Sequence, residues 1–183
     1  MKQIGEIGNK RCHNFIVSQI ISSFMYLDLQ AIGENNYKSL IYLMIVVSNQ
    51  PGVAKGKCSV TFLETLTQQI TIDLKGIGAW LDGIYYCLHH PDGSVLEYRM
   101  DCDCRKPKSG LLIKASQEHN IDLSSSYMIG DRFIDIQAGQ AAGCKSIFVE
   151  SPATNRYNLS EYIDSYPNLP QAVRRIWQDE RVP

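Results

Sequence analysis

The stretch "LIYLMIVVSNQPG", Leu40 to Gly52, decides how the chain is read. Eight apolar residues run from Leu40 to Val47 without alternation and end in a Ser-Asn-Gln-Pro-Gly turn. A strand with one wet face alternates polar and apolar residues. An unbroken run of this length is a strand buried on both faces, as in a parallel sheet covered by helices.

Downstream, apolar runs and amphipathic stretches take turns. Lys57 to Leu74 carries Val60, Leu63, Leu66 and Ile70 near helical spacing. "DGIYYC" is the next strand candidate, Gly110 to His119 a helix, and "YMIGD" a strand entering a Gly-Asp turn. Phe133 to Ala142 reads as a helix closed by Gly143, and "KSIFVE" as a strand. Tyr157 to Trp177 is expected to supply one or two covering helices, broken at Pro167 and Pro170. This order predicts an α/β fold, a doubly wound parallel sheet with helices on both faces. The first forty residues show no such order, so 1–40 is expected to be a divergent or irregular segment and 41–183 the core. "FIVSQIISSFMYL" within it fits either a strand or a helix.

In such sheets ligands bind beyond the carboxyl ends of the strands. The polar motifs lie there: "SNQPG" after Val47, the cysteine loop after Tyr86, and "GDRFID" after Ile129. Their convergence on one sheet edge is the first argument for a site.

Cys87 and His89 sit two apart, as do Cys102 and Cys104. Each pair can chelate from a tight turn, and three thiolates with one imidazole close a tetrahedral zinc shell with no open position. The metal is therefore expected to be structural. The N-terminus lacks the layout of an export signal, so the compartment is expected to be reducing and cytoplasmic, where six cysteines favour metal over disulfides. His90 is the rival to His89, with a less usual offset, and is read as solvated or lining the site. Cys12, Cys58 and Cys144 have no partners at metal spacing.

Arg105 and Lys106 follow the cysteine loop directly. Alone they would be a solvated basic run. Beside a metal-held loop they become fixed cations suited to phosphate. Asp131 ends a strand, where a carboxylate can hold Mg2+ against a phosphate. Asp135 reads as a helix-start charge. Ser48 offers a hydroxyl and a run of backbone amides to an anion.

Composition bounds the rest. The 183 residues carry a net charge of -1, with 44% hydrophobic and 20% charged residues. That is one ordinary globular domain with no field favouring nucleic acid or an anionic membrane, and no apolar run approaches the ~18 residues of a membrane helix.

Taken together, "VVSNQPGVAKG", "CLHHPDG…CDCRKPKSG" and "YMIGDRFIDIQAGQAAGC" resemble the second, third and fourth motifs of the haloacid dehalogenase superfamily of phosphatases. Within it they are most similar to the heptose-1,7-bisphosphate 7-phosphatase family of the histidinol-phosphatase-like branch. The long interval between His89 and Cys102 fits the heptose-bisphosphate enzymes, since histidinol-phosphate enzymes have a shorter zinc loop. The resemblance implies a Mg2+-dependent phosphatase of a sugar bisphosphate, acting as a monomer on a small molecule through an aspartyl phosphate. It implies that Ser48 binds the transferred phosphoryl group and that Asn49, Gln50 and Pro51 line the substrate. Arg105 would contact substrate phosphate, Lys106 would neutralise nucleophile and phosphoryl charge, Asp131 would ligate Mg2+ and Arg132 would touch substrate.

One motif departs. The family opens with a strand ending in Asp-x-Asp-Gly, whose first Asp is the nucleophile, and no Asp-x-Asp precedes Ser48. Counting back by family separations lands near Glu6-Ile7-Gly8. Asp28 lies too close to Ser48 and is followed by Gln30 rather than a second Asp. The chain is therefore expected to be impaired in hydrolysis. It is either a family phosphatase with a damaged first motif or a zinc-stabilised protein that binds sugar phosphate without turnover.

Overall fold

The computed structural model describes residues 14–18, 43–151 and 164–180. Six strands form one sheet: β1 (Asn14–Ser18), β2 (Leu43–Asn49), β3 (Gly83–Cys87), β4 (Ser126–Gly130), β5 (Lys145–Val149) and β6 (Asp164–Tyr166). The helices are α1 (Val60–Gly76), α2 (Gly110–His119), α3 (Phe133–Ala141) and α4 (Leu169–Glu180). The strand order is β3-β2-β1-β4-β5-β6, and every pairing is parallel. The winding reverses between β1 and β4, which places a ligand crevice at the carboxyl ends of β1, β2 and β4.

The double burial inferred from Leu40 to Val47 holds for Ile45, Val46 and Val47, all withdrawn from solvent. On β4, Met128 joins a core with Leu111, Leu112 and Ala115 of α2, while Tyr127 and Ile129 face Leu169, Ala172 and Ile176 of α4. One strand thus feeds two cores, which is why it reads as continuously apolar.

Three boundaries differ from the sequence reading. The division at residue 40 does not hold, because Asn14–Ser18 is a central strand between β2 and β4. Its register runs Asn14 to Leu43 and Ser18 to Val47 on one side, and Asn14 to Ser126 and Val17 to Ile129 on the other. Five residues carry too short a pattern to separate strand from helix. Second, α1 begins at Val60, three residues later than expected, because the Ser59 hydroxyl accepts the Phe62 N–H at 3.0 Å and caps the helix there. Third, the segment expected to be wholly helical contains β6. Pro170 does not break α4 but lies in its first turn, where a missing N–H costs nothing. Asn168 caps that turn, its side-chain oxygen accepting the Gln171 N–H at 3.0 Å.

Candidate phosphate and metal site

"SNQPG" begins at the end of β2, the cysteine loop begins at the end of β3 and "GDRFID" begins at the end of β4, so the three polar segments leave the carboxyl ends of parallel strands of one sheet. The centre of the arrangement is Lys106. The residue is 4% exposed, and Nζ donates to the Val47 carbonyl at 2.9 Å. Nζ also lies 2.8 Å from Oδ1 of Asp135, itself only 1% exposed. The backbone of Lys106 is fixed as firmly: its N–H donates to the Asn49 side-chain oxygen at 3.1 Å, and its carbonyl accepts from the Asn49 amide at 3.0 Å. Asn49 therefore clamps the lysine segment to the end of β2. Burial depresses the Lys106 ammonium below its ordinary value, and the charges of Asp135 and Asp131 oppose that shift.

Asp135 was read as a helix-start charge, and it does cap α3, Oδ2 accepting the Arg132 N–H at 3.0 Å. Its second oxygen holds Lys106, which the sequence did not disclose. Gly130 makes the approach possible: a Cβ there would come 2.3 Å from the Asp135 Cβ. Removing one partner of such a pair leaves a charge buried alone. Asp135→Ala is expected to destabilise the domain by about 3–5 kcal/mol, measured by denaturant unfolding.

Ser48 is 1% exposed, and its hydroxyl oxygen accepts from the Gln50 amide at 3.0 Å. Asp131 follows β4 directly. Burial, and then the Asp135 charge, push its carboxyl above the usual carboxylate range, while Arg132 works the other way. Arg132 is exposed at the start of α3. Pro51 and Arg105 are half-buried, and Arg105 donates to the His89 carbonyl at 3.3 Å.

Cys87, His89, Cys102 and Cys104 form a cluster whose ligand atoms all lie within 4.8 Å of one another. Cys87 Sγ lies 3.6 Å from Cys102 Sγ and 3.2 Å from Cys104 Sγ. His89 Nδ1 lies 3.2 Å from Cys104 Sγ, and all three thiols are free. Those separations approach the ~3.8 Å edge of a tetrahedron with Zn–S bonds of about 2.3 Å. Burial pushes the Cys87 and Cys104 thiols upward, a strain that a cation in the centre would relieve. His90 points elsewhere, its Nδ1 accepting the Asp92 N–H at 3.0 Å.

A HAD-hydrolase-like family model matches residues 103–173. The D-glycero-beta-D-manno-heptose-1,7-bisphosphate 7-phosphatase of Salmonella typhi is 39% identical over 160 residues, covering 85% of each chain. The chain belongs to the haloacid-dehalogenase-like phosphatases. Enzymes of the same name from Escherichia coli (strain K12) and Yersinia pestis are 39% and 36% identical, covering 84% and 85% of their lengths. The phosphatase fold is also that of a D,D-heptose 1,7-bisphosphate phosphatase from B. bronchiseptica, solved with magnesium and phosphate. That structure matches with a TM-score of 0.73 at 23% identity, covering 91% of this chain and 99% of its own. The Burkholderia thailandensis enzyme matches with a TM-score of 0.63. Among the described residues, no helix of this phosphatase is long and apolar enough to cross a membrane.

Proposed function

We propose that the crevice binds the phosphoryl group of a sugar bisphosphate, with D-glycero-D-manno-heptose 1,7-bisphosphate as the ligand class of the relatives, and that hydrolysis by this chain is impaired. The observation that carries this reading is Lys106. A lysine held dry between the Val47 carbonyl and Asp135 is a preplaced cation beside Ser48, and such a charge acts on a phosphoryl group without reorganising. Ser48 would receive phosphoryl oxygens, Gln50 and Pro51 would line the sugar, and Arg105 and Arg132 would reach further phosphate oxygens. Asn49 acts through Lys106 rather than on the ligand.

The family implies Mg2+, which Asp131 would help to hold and which would supply positive charge against a phosphoryl group. Asp131, with its raised proton affinity, suits a cation. Mg2+ can be held by one or two carboxylates with water and phosphate, so weak binding fits this donor set. A hydrolytic step does not: the sequence beyond Ser18 continues Gln19-Ile20-Ile21 and offers no carboxylate. Ser48 cannot replace the nucleophile, since a hydroxyl needs a neighbouring base and its described partner is the Gln50 amide. That observation favours the second reading, a sugar-phosphate-binding protein, over turnover. The cluster of Cys87, His89, Cys102 and Cys104 would hold structural zinc.

Calorimetric titration with inorganic phosphate and with the heptose bisphosphate tests the site. Lys106→Met is expected to weaken both, but it leaves Asp135 unpaired. Lys106→Met with Asp135→Leu removes the pair together, which is commonly tolerated, and should fold yet bind phosphate at least ~10-fold more weakly. Unchanged binding by the folded double variant would place the ligand elsewhere. Tighter binding of histidinol phosphate than of the heptose bisphosphate would overturn the ligand class.

A further inference from the structure

No motif marks the residues that follow β5, yet one of them reaches the candidate site. The Ser151 hydroxyl donates a hydrogen bond to the Asp131 carboxylate. The two residues leave neighbouring parallel strands. Gly130 pairs with Phe148, so Asp131 stands level with Val149, and Ser151 lies two residues further along. The exit of β5 is fixed from its other side. Val149 registers with Tyr166 of β6, and the Glu150 N–H donates to the Tyr166 carbonyl at 2.9 Å, which carries the ladder one residue past the strand. Val149 and Tyr166 pack against the cluster of Leu169, Ala172 and Ile176, so this exit is anchored to α4. Pro152 follows Ser151 in the sequence, and a residue before proline is driven toward extended backbone. The half-buried Ser151 therefore sits on a backbone constrained from both sides.

A carboxylate has two oxygens and about four lone-pair sites, and it can turn about its last bond. A hydroxyl held against one side fixes that rotation and leaves the remaining lone pairs for a cation. The other side chains that act on Asp131 do not set a direction in this way. Asp135 acts as a like charge and is itself committed to Lys106 and to the Arg132 N–H, while Arg132 acts through its charge. We propose that Ser151 is a positioning residue of the Mg2+ site, orienting the Asp131 carboxylate that would hold the cation. This rests on the phosphate and Mg2+ readings of the main site, and it brings the exit of β5 into that site. The alternative is a hydroxyl that only satisfies a partly buried carboxylate. That role would show in stability and not in affinity for a cation.

The probes are Mg2+ and inorganic phosphate, titrated calorimetrically into the full chain as purified. Ser151→Ala is expected to bind Mg2+ roughly tenfold more weakly in the presence of phosphate, the scale on which outer partners of a metal ligand act. Its affinity for phosphate without Mg2+ should be unchanged, because Ser48 and Lys106 are untouched. Ser151→Thr keeps the hydroxyl and should bind Mg2+ as the unaltered chain does. Ser151→Val has nearly the same shape without the hydroxyl and should bind it as weakly as the alanine variant. Denaturant unfolding of each variant reads any structural loss separately. Equal Mg2+ affinity in the Thr and Val variants would overturn the positioning role while leaving the phosphate site standing. An unaltered chain that binds phosphate but no Mg2+ would overturn the Mg2+ reading of Asp131, and the role of Ser151 with it. Failure to bind phosphate at all would overturn the main site and this proposal together.

Discussion

Phosphate release from D-glycero-D-manno-heptose 1,7-bisphosphate is expected to run at least ~10⁴-fold slower in this chain than in one carrying Gln19→Asp and Ile21→Asp, the scale on which loss of a nucleophile is felt. Ser18 registers with Val47, the residue before Ser48, and Val17 with Ile129, two before Asp131. The carboxylate that would stand level with Ser48 and Asp131 is therefore wanted one residue past the end of β1, at position 19. It is not wanted near Glu6, where counting by separation pointed; Glu6 and Asp28 both fall outside the described residues. Phosphoryl transfer leaves little covalent work to the protein beyond an in-line nucleophile and compensation of charge. Among the described residues Lys106 supplies that charge and Asp131 would do so only through Mg2+, and a misplaced oxygen cannot substitute for the nucleophile, since an error of about 1 Å can cost ~100-fold. The assay is Mg2+-supplemented phosphate release. Equal turnover by the unaltered and altered chains at a high rate would show that a nucleophile exists elsewhere. Equal silence would show that position 19 is not its place.

Protein purified without added metal is expected to carry about one zinc per chain, and Cys102→Ser to retain it at least ~100-fold less tightly, since even outer partners of a ligand cost 10–100-fold. Where metal alone folds a peptide, zinc contributes about 10–16 kcal/mol. Here α2, β2 and β4 share a hydrophobic core that reaches well beyond the ligands, with Cys87 inside it and Cys102 and Cys104 packed at its margin, so the variant should keep its sheet while the loop from Leu88 to Asp103 loosens. Hydrogen exchange reads this directly. The amides of Gly93 and Val95, bonded to His90 and Ala54 in the native loop, should exchange faster, while those of β4 should not. A well-folded sample free of zinc would sink the assignment.

How much of this was legible in the sequence depended on what each residue advertises. The buried strands announced themselves because burial on both faces leaves no polar position, and the cysteine cluster because its paired spacing is that of metal ligands. Lys106 was recognisable as a cation beside a rigid loop. That Asp135 and the Val47 carbonyl hold it was not, because a long-range ion pair and a backbone acceptor leave no local pattern. The engagement of Asn49 with the Lys106 backbone was hidden for the same reason, since it spans 57 positions. β6 was hidden by brevity: three residues, Asp164 to Tyr166, cannot establish alternation. Pro170 misled because the same residue that ends a helix also starts one.

The central placement of β1 has a consequence for how the chain folds. Asn14 pairs with Leu43, but also with Ser126, more than a hundred positions later. During synthesis this strand emerges first, and one of its edges waits for almost the whole chain. Contacts of such separation fold slowly and leave unpaired edges exposed meanwhile. Without β1 the sheet divides into β3-β2 and β4-β5-β6, and β2 and β4 each present a bare, apolar margin. Such margins are templates for joining another chain. The five residues from Asn14 to Ser18 thus close the margins of β2 and β4 against association with another chain.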